Sequence, residues 1–285
     1  MLPSAIIDTH IHLWDRDCLC YPWTHSVSQL DRSFALEDLN EVTEAYDIEA
    51  FIFMESGCMP RLHLKELRWA QQQADTDRRI RAIIPWAPVE HKTLLEASIK
   101  AMASDPRVKG VRRILQGESD TAFCLRADFM RGIALLQDNG LHFELTLNPA
   151  QLAAAAELAD RFPCMDFILD HIGNPDIRSR RIDAWASDLL ALAKHPNVVC
   201  KISSLPVNAG TDWDSDMLMP YFDITVDAFG PDRVLFASDW PNLLRASSYR
   251  DWMEMLDQAT ESWSVLERSL FFRENARRVY RIGRS

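Results

Sequence analysis

Short apolar runs rich in β-branched residues alternate with longer amphipathic stretches along the whole chain. The short runs have the length and composition typical of buried strands. They predict strands over Ala5–Ile11, Ala50–Glu55, Arg81–Trp86, Val108–Leu115, Leu141–Leu147, Asp166–Asp170, Val198–Ile202 and Val234–Ser238. The longer stretches carry apolar residues at helical spacing. They predict helices over Leu36–Tyr46, Leu62–Asp75, Thr93–Ala103, Ala127–Asn139, Ala150–Phe162, Arg180–Lys194, Asp216–Phe229, Tyr249–Ala259 and Ser264–Ile282.

The alternation of strand and helix predicts the fold class. Strands that are each followed by a helix pair in parallel through crossover connections. Eight such repeats in 285 residues favour closure into an α/β (β/α)8 TIM barrel over an open sheet. No glycine-rich phosphate-binding motif follows the first strand, which also disfavours a nucleotide-binding open sheet. We therefore expect one barrel domain that spans residues 1–285.

Composition and charge exclude several classes of partner. The 31 Lys and Arg residues stand against 42 Asp and Glu residues, a formal charge of −11 that repels nucleic acid. No apolar run approaches the ~20 residues of a membrane span, and no signal peptide is evident. The six cysteines form no CxxC pair, so we expect free thiols and a cytoplasmic protein. A homo-oligomer remains open.

Two histidines end the first predicted strand. Side chains two positions apart on a strand share a face, so His10 and His12 should both point into the barrel mouth. Two neutral imidazoles that converge there suit a divalent cation such as zinc. The alternative is one exposed and one packed histidine at a strand end. An HxH pattern alone does not decide between them.

Two further strands end in residues that can bind a metal ion or move a proton. His171 follows the sixth predicted strand, and Asp239 follows the eighth. Catalytic residues of TIM barrels come from the carboxyl ends of several strands, which all meet at one face. Taken singly, Asp239 could cap a loop and His171 could pack in the core. Because all four residues occupy equivalent strand ends, we expect a shared active site.

Three charged residues are candidate substrate contacts. Arg112 lies in the fourth strand, where it could bind a substrate carboxylate or sugar hydroxyl, or else pair with Glu55. Glu55 ends the second strand and could accept a hydrogen bond from a sugar or merely hold Arg112. Lys201 lies on the seventh strand, where a structural salt bridge and a substrate contact are both open.

Aromatic residues near the expected barrel mouth are candidates for a wall against a sugar ring. Trp14 and Trp23 lie in the long connection after the first strand, and Trp240 follows Asp239. Aromatic side chains in such loops also pack among themselves as a lid. We expect Trp14 and Trp240 to contact the substrate.

The motifs around these residues resemble those of the amidohydrolase superfamily. The resemblance is carried by His10-Ile11-His12 with Trp14-Asp15, by Leu169-Asp170-His171-Ile172-Gly173-Asn174-Pro175, and by Phe236-Ala237-Ser238-Asp239-Trp240-Pro241. Within that superfamily the chain is most similar to the sugar lactonases of the L-fuconolactonase and L-rhamnonolactonase type, with 2-pyrone-4,6-dicarboxylate lactonase as a relative. The resemblance runs in order over nearly the whole chain.

The resemblance implies hydrolysis of a small lactone on a (β/α)8 barrel. It implies that His10, His12, His171 and Asp239 form the catalytic or metal-binding site and that Arg112 contacts the substrate. Asp239 would act as the base toward water. The histidines would bind one divalent metal ion, with zinc the best fit, or would donate hydrogen bonds to the oxyanion in an enzyme without metal.

The chain departs from the lactonase pattern at three places. It has Ser203-Ser204-Leu205 where sugar lactonases tend to have Ser-Gly-Leu, and Asn242-Leu243 follows the last motif. These two departures leave the substrate open. The metal ligand that two-metal members place on strand four or five is not evident, which disfavours a two-metal site.

Two other functions fit the same residues. A metal-dependent decarboxylase of the same superfamily would use the same histidines and aspartate but would release carbon dioxide. A barrel that binds a sugar acid without catalysis would also fit, although four ligand-type residues at strand ends disfavour it.

Overall fold

The computed structural model describes residues 5–283. Its eight strands are β1 Ile6–Ile11, β2 Ile48–Met54, β3 Ile80–Ile84, β4 Gly110–Arg112, β5 His142–Leu145, β6 Phe167–Leu169, β7 Val198–Ile202 and β8 Val234–Phe236. Its helices are α1 Leu36–Thr43, α2 His63–Thr76, α3 Lys92–Met102, α4 Ala127–Asp138, α5 Leu152–Arg161, α6 Asp183–Ala193, α7 Leu205–Ala209, α8 Ser215–Phe229, α9 Tyr249–Ala259, α10 Val265–Ser269 and α11 Asn275–Val279.

The strands pair in parallel and close into a barrel. Continuous ladders join β1 to β3 and β4 to β8. Single parallel bridges, Ile83 with Val108 and Trp86 with Arg112, join the two groups on one side. A bridge between Ile11 and Trp240 joins them on the other side. The predicted (β/α)8 barrel is confirmed.

Apolar side chains inside the barrel form a separate core from those between strands and helices. The inner cluster contains Ile7, Ile52, Ile168 and Leu235, all buried, together with Tyr280 from the end of the chain. The Tyr280 hydroxyl donates a hydrogen bond of 2.9 Å to Oε1 of Glu144 on β5. Tyr280 therefore packs inside the barrel.

Several elements differ from the sequence prediction in their bounds, and α7 was not predicted. The fourth strand is shorter than Val108–Leu115, because the N–H groups of Leu115 and Gln116 both turn to the carbonyl oxygen of Thr146. Helix α6 begins after Arg180, whose left-handed φ of 54° is incompatible with a helix start. The predicted terminal helix is divided into α10 and α11 by a π-helical turn over Leu270–Glu274.

Two expectations about the whole chain concern its cysteines and its helices. All six cysteines are free thiols. Across residues 5–283, every helix is too short or too polar to cross a bilayer.

Candidate active site

His10 and His12 lie side by side at the carboxyl end of β1. Their Nε2 atoms are 3.0 Å apart, as expected for residues that share a strand face. The Nδ1 of His12 lies 3.3 Å from the carbonyl oxygen of Met54. A proton on that nitrogen leaves Nε2 free as a ligand atom. Complete burial lowers the pKa of His10 well below its usual value, which keeps its imidazole neutral.

His171 reaches the same point from the end of β6. The chain turns sharply there, and His171 adopts a left-handed backbone with φ of 55°. Its ring centroid lies 4.6 Å from that of His10, and its Nδ1 lies 2.8 Å from the Ser203 hydroxyl. Burial lowers the pKa of His171, so this imidazole is also neutral at pH 7.

Asp239 completes the group from the segment after β8. Its Oδ1 lies 3.4 Å from Nε2 of His12 and 3.6 Å from Nε2 of His10. Burial by itself would raise the pKa of Asp239, but His171, His12 and His10 outweigh burial and lower that pKa strongly. The carboxylate is therefore ionised at neutral pH, as a metal ligand or a general base requires.

The spacing of these atoms fits a tetrahedral metal site. Zinc bonds of about 2.0–2.1 Å place neighbouring tetrahedral ligands about 3.3–3.4 Å apart. The three distances among His10 Nε2, His12 Nε2 and Asp239 Oδ1 are 3.0, 3.4 and 3.6 Å. His10 also belongs to a second group that can hold a metal ion, with Asp170 and His171. These residues can therefore bind a divalent ion without rearranging the backbone.

The second group, His10, Asp170 and His171, already has a positively charged side chain beside it. The Lys201 ammonium, fully buried, lies 3.1 Å from Oδ1 of Asp170 and 3.3 Å from Nδ1 of His10. It also donates a 2.7 Å hydrogen bond to Glu144. Burial would raise the pKa of Asp170, but Lys201 and His10 lower it well below its usual value. The first group is therefore the better place for a metal ion.

The balance of buried charge supports the same conclusion. Four buried carboxylates surround the site, whereas two buried side chains carry positive charge. The carboxylates belong to Glu55, Glu144, Asp170 and Asp239, and the cations are Arg112 and Lys201. Among these six side chains, the carboxylates outnumber the cations by two. Buried charge is costly unless it is compensated, and one divalent cation would supply the missing charge.

The structure places the predicted substrate contacts at different depths. Arg112 lines the cavity, and its Nη1 lies 3.2 Å from Nε2 of His10. Glu55 and Lys201 lie behind the cavity wall, where each is almost completely buried in an ion pair. Of the two alternatives for Lys201, the structure therefore favours the structural salt bridge, which is made with Glu144. The direct substrate role predicted for Glu55 and Lys201 is not supported by their positions.

The aromatic residues predicted to face the substrate are also placed differently. Trp14 and Trp240 are buried, and both pack edge-on against Phe34, with ring centroids 5.0 and 5.5 Å away. Neither ring lines the cavity, so this packing gives no support to the predicted substrate contact, which stays a prediction. Trp23, from the same long connection as Trp14, is the tryptophan that lines the cavity.

Amide and hydroxyl side chains belong to seven of the sixteen residues that line the cavity above the group. Its volume is about 540 Å³, within the range of small-molecule sites. The wall contains amide and hydroxyl groups to which the sequence assigns no role: Ser56, Gln116, Thr146, Asn174, Ser204, Asn208 and Asn242. Ser56 and Gln116 directly follow predicted strands, and that position is the signal by which they could have been found.

Comparison with known proteins shows which of them the chain resembles. A family model described as Amidohydrolase matches residues 7–282. An L-fucono-1,5-lactonase of Burkholderia multivorans is 31% identical over 96% of this chain and 95% of that protein. An L-fucono-1,5-lactonase of Burkholderia ambifaria is 29% identical over 98% of this chain and 96% of that protein.

Solved structures show the same resemblance. A crystal structure of an amidohydrolase from Burkholderia multivorans with bound Zn has a TM-score of 0.87 and 30% sequence identity, and the match covers 98% of this chain and 100% of that one. A probable 2-pyrone-4,6-dicarboxylic acid hydrolase from Acinetobacter baumannii has a TM-score of 0.78 at 15% identity over 97% of this chain and 99% of that one, which shows a shared fold. The resemblance predicted from the sequence motifs is confirmed.

Proposed function

The chain belongs to the amidohydrolase family, and from that premise we propose that it is a lactonase that opens a small sugar lactone to its hydroxy acid. One observation carries the proposal. His10, His12, His171 and Asp239 converge beneath a cavity of about 540 Å³ whose wall is rich in amides and hydroxyls. Such groups suit a polyhydroxylated ring, because each sugar hydroxyl both donates and accepts hydrogen bonds.

The names of the relatives point to the same class of substrate. Two proteins that match nearly the whole chain are named L-fucono-1,5-lactonases. An L-rhamnono-gamma-lactonase from Scheffersomyces stipitis is 25% identical over 58% of this chain. These names support a sugar lactone as the substrate class and leave the individual sugar to be identified.

Asp239 is the proposed general base. Its low pKa keeps the carboxylate ionised, so it can take a proton from the water that attacks the lactone carbonyl carbon. When the ring C–O bond breaks, the same proton passes to the departing alkoxide oxygen. The product is a hydroxy acid, which loses its own proton to solvent at neutral pH. Asp239 is then ionised again and ready for another cycle.

Arg112 is the proposed stabiliser of developing negative charge. Its guanidinium lines the cavity 3.2 Å from Nε2 of His10 and is held in place by Glu55. A fixed, buried cation stabilises an oxyanion more strongly than an exposed one. Arg112 would therefore favour the tetrahedral transition state over the planar substrate.

One divalent metal ion, zinc by the fit of the ligand spacing, would be held by His10, His12 and Asp239, and the sequence resemblance implies His171 as a fourth ligand. When bound, it would polarise the carbonyl and make the attacking water more acidic. The amidohydrolase from Burkholderia multivorans, which is 30% identical, contains Zn. Without metal, the same imidazoles would donate hydrogen bonds to the oxyanion.

The test is a survey of L- and D-aldonolactones with wild type and Asp239→Asn, with zinc content measured on the same samples. We expect turnover of at least one lactone, about one equivalent of zinc in wild type, and a loss of about 10³-fold or more in kcat in the variant. Near-normal kcat in Asp239→Asn would contradict the assigned base. Lactone hydrolysis that survives complete zinc removal would leave the histidines as oxyanion donors.

Two rival outcomes are distinguishable in the same survey. Release of carbon dioxide from hydroxybenzoates, without lactone turnover, would identify a decarboxylase. Binding of sugar acids without any turnover would identify a non-catalytic barrel.

A further inference from the structure

The two carboxylate oxygens of Asp239 have different neighbours. Oδ1 faces the imidazoles of His10 and His12. Oδ2 accepts hydrogen bonds from the Ser204 hydroxyl and from Nδ2 of Asn242, the latter over 2.6 Å. Both donors are neutral, and both line the cavity. The side chain of Asp239 is thus held at one oxygen by two residues from different loops.

Ser204 keeps an unfavourable backbone conformation at this position. Its φ is 59° and its ψ is 8°, in the left-handed region that glycine adopts more readily than residues with a Cβ. A serine in this conformation needs a compensating contact, and its hydrogen bond to Asp239 is such a contact.

The Ser204 hydroxyl does not cap the helix that begins next to it. Ser204 occupies the N-cap position of α7, where serine side chains commonly accept a hydrogen bond from the helix backbone. Among the described residues, the hydroxyl makes no such capping bond. It is directed at Oδ2 of Asp239 instead. The side chain is therefore committed to Asp239 and not to the start of the helix.

Asn242 is oriented by a second contact. Its Oδ1 accepts a hydrogen bond of 3.3 Å from Nη1 of Arg245. Because an arginine side chain only donates, this contact fixes which end of the amide is the oxygen. The nitrogen end then faces Asp239. Asn242 and Ser204 together restrict rotation of the Asp239 carboxylate about its Cβ–Cγ bond.

We propose that Ser204 and Asn242 are positioning residues for Asp239, which hold the plane of its carboxylate in the orientation needed for proton transfer. This proposal rests on the proposed function, in which Asp239 is the base. A base that is already oriented loses less free energy to reorganisation in the transition state. The two sequence departures from the lactonase pattern therefore both act on the same carboxylate.

The proposal predicts opposite effects of one substitution on stability and on turnover. Ser204→Gly should raise the thermal unfolding midpoint by a few degrees, because glycine tolerates the left-handed backbone. The same change should lower kcat about 10-fold, because one donor to Asp239 is lost, while KM changes less than threefold. Ser204→Ala should lower kcat equally without the gain in unfolding midpoint. Asn242→Leu should also lower kcat, and combining it with Ser204→Ala should lower kcat further.

Arg180→Gly is a matched control. Arg180 is exposed and has a similar left-handed φ of 54°, but it lies outside the cavity lining. Its change to glycine should raise the unfolding midpoint and leave kcat and KM at the wild-type values. Zinc content is measured in every variant, so that a loss of metal is not mistaken for a loss of orientation.

The outcomes separate this proposal from the proposed function. Unchanged kcat in both Ser204→Ala and Ser204→Gly, alongside an inactive Asp239→Asn, would overturn the positioning role and leave the base intact. Near-normal kcat in Asp239→Asn would overturn both. A rise in KM with kcat unchanged in the Ser204 variants would also contradict positioning, because it would place the hydroxyl in substrate binding.

Discussion

The Nε atom of Arg112 lies 2.8 Å from Oε1 of Glu55, and Nη2 of the same guanidinium donates to the backbone carbonyl oxygen of Glu55 over 2.6 Å. The other carboxylate oxygen of Glu55 accepts a 2.7 Å hydrogen bond from the N–H of Gly57, which lines the cavity. Glu55 therefore couples the position of Arg112 to the cavity wall. Arg112 therefore pairs with Glu55 and lines the cavity at the same time.

This coupling predicts the effect of Glu55→Gln. The variant keeps the shape of the side chain but replaces a charge-assisted hydrogen bond with a neutral one, so Arg112 loses part of its orientation. We expect kcat/KM to fall about 10- to 100-fold, which corresponds to roughly 1.4–2.7 kcal/mol. Steady-state kinetics on the best lactone substrate would measure the loss.

A double-mutant cycle provides the control for that prediction. Arg112→Lys retains the charge but cannot make the paired contacts, and its effect should be at least as large as that of Glu55→Gln. If Glu55 acts through Arg112, the double variant should be no worse than Arg112→Lys alone. Fully additive losses would show that Glu55 acts independently of Arg112.

The site residues at the strand ends could be predicted because the local sequence pattern determines where each strand ends. His10 and His12 end an apolar run, and His171 and Asp239 follow two others. Once the chain is a closed parallel barrel, all such ends lie on one face. The metal-ligand spacing among these side chains then follows from β geometry and two sharp turns. Their catalytic roles remain a proposal.

The partners of the buried charges were not predictable from the sequence. Lys201 and Glu144 are 57 residues apart and lie on two strands separated by a third. Each appears in the sequence as a single charged residue within an apolar run. That position indicates that the charge is buried, which is unusual, but it does not show which residue of opposite charge pairs with it. Their pairing depends on barrel closure, which brings both side chains to the interior.

The packing of helix α4 predicts a large effect of a small substitution. A Cβ atom added at Gly132 would lie 2.0 Å from the carbonyl oxygen of Val89, and backbone cannot move aside as a flexible side chain can. Gly132→Ala should therefore lower the free energy of unfolding by about 2 kcal/mol or more, despite the better helix propensity of alanine.

Gly117→Ala is the matched control for Gly132→Ala, because an added Cβ there meets nothing within 4 Å. Urea unfolding of the two variants and wild type would measure the difference. Equal stability of the two alanine variants would show that α4 can shift away from Val89 at little cost.

Glu66 predicts a specific dependence of stability on pH. It is buried on α2, and its Oε1 accepts a 3.1 Å hydrogen bond from the N–H of Ser56 in the cavity wall. Burial, and next the charge of Glu55, raise the pKa of Glu66 from 4.5 to about 8. Between these pH values the folded protein keeps the proton that the unfolded chain releases. The Glu66 contribution therefore makes the folded state less stable as pH rises through this window, with no further change outside it.

Glu66→Gln removes that titration while keeping an oxygen for Ser56. The variant should gain stability over wild type as pH rises from 5 to 8, by up to about 3 kcal/mol at pH 7. Thermal melts at several pH values would measure the difference, with the exposed Glu44→Gln as a control. A stability difference between Glu66→Gln and wild type that is the same at pH 5 and pH 8 would contradict the raised pKa.

Trp23 predicts which aromatic residue contacts the substrate. The sequence places three tryptophans near the barrel mouth but does not show which of them faces the cavity. Only tertiary packing decides which way each ring is turned. Trp14 and Trp240 pack against Phe34, whereas Trp23 lines the cavity and donates a 2.8 Å hydrogen bond to the carbonyl oxygen of Ser56. Trp23→Ala should raise KM for a sugar lactone about 10-fold and change kcat less, because it removes a flat apolar surface from the binding wall.

The comparison that tests this assignment uses Trp14→Phe. Trp14 is completely buried, and its Nε1 donates to the carbonyl oxygen of Arg32 over 2.6 Å. Its change to phenylalanine should lower the unfolding midpoint, because a buried donor–acceptor pair is lost, with KM close to wild type. If KM rose in Trp14→Phe and stayed constant in Trp23→Ala, the sequence-based assignment would be right and the packing of this wall in solution would differ from the one described.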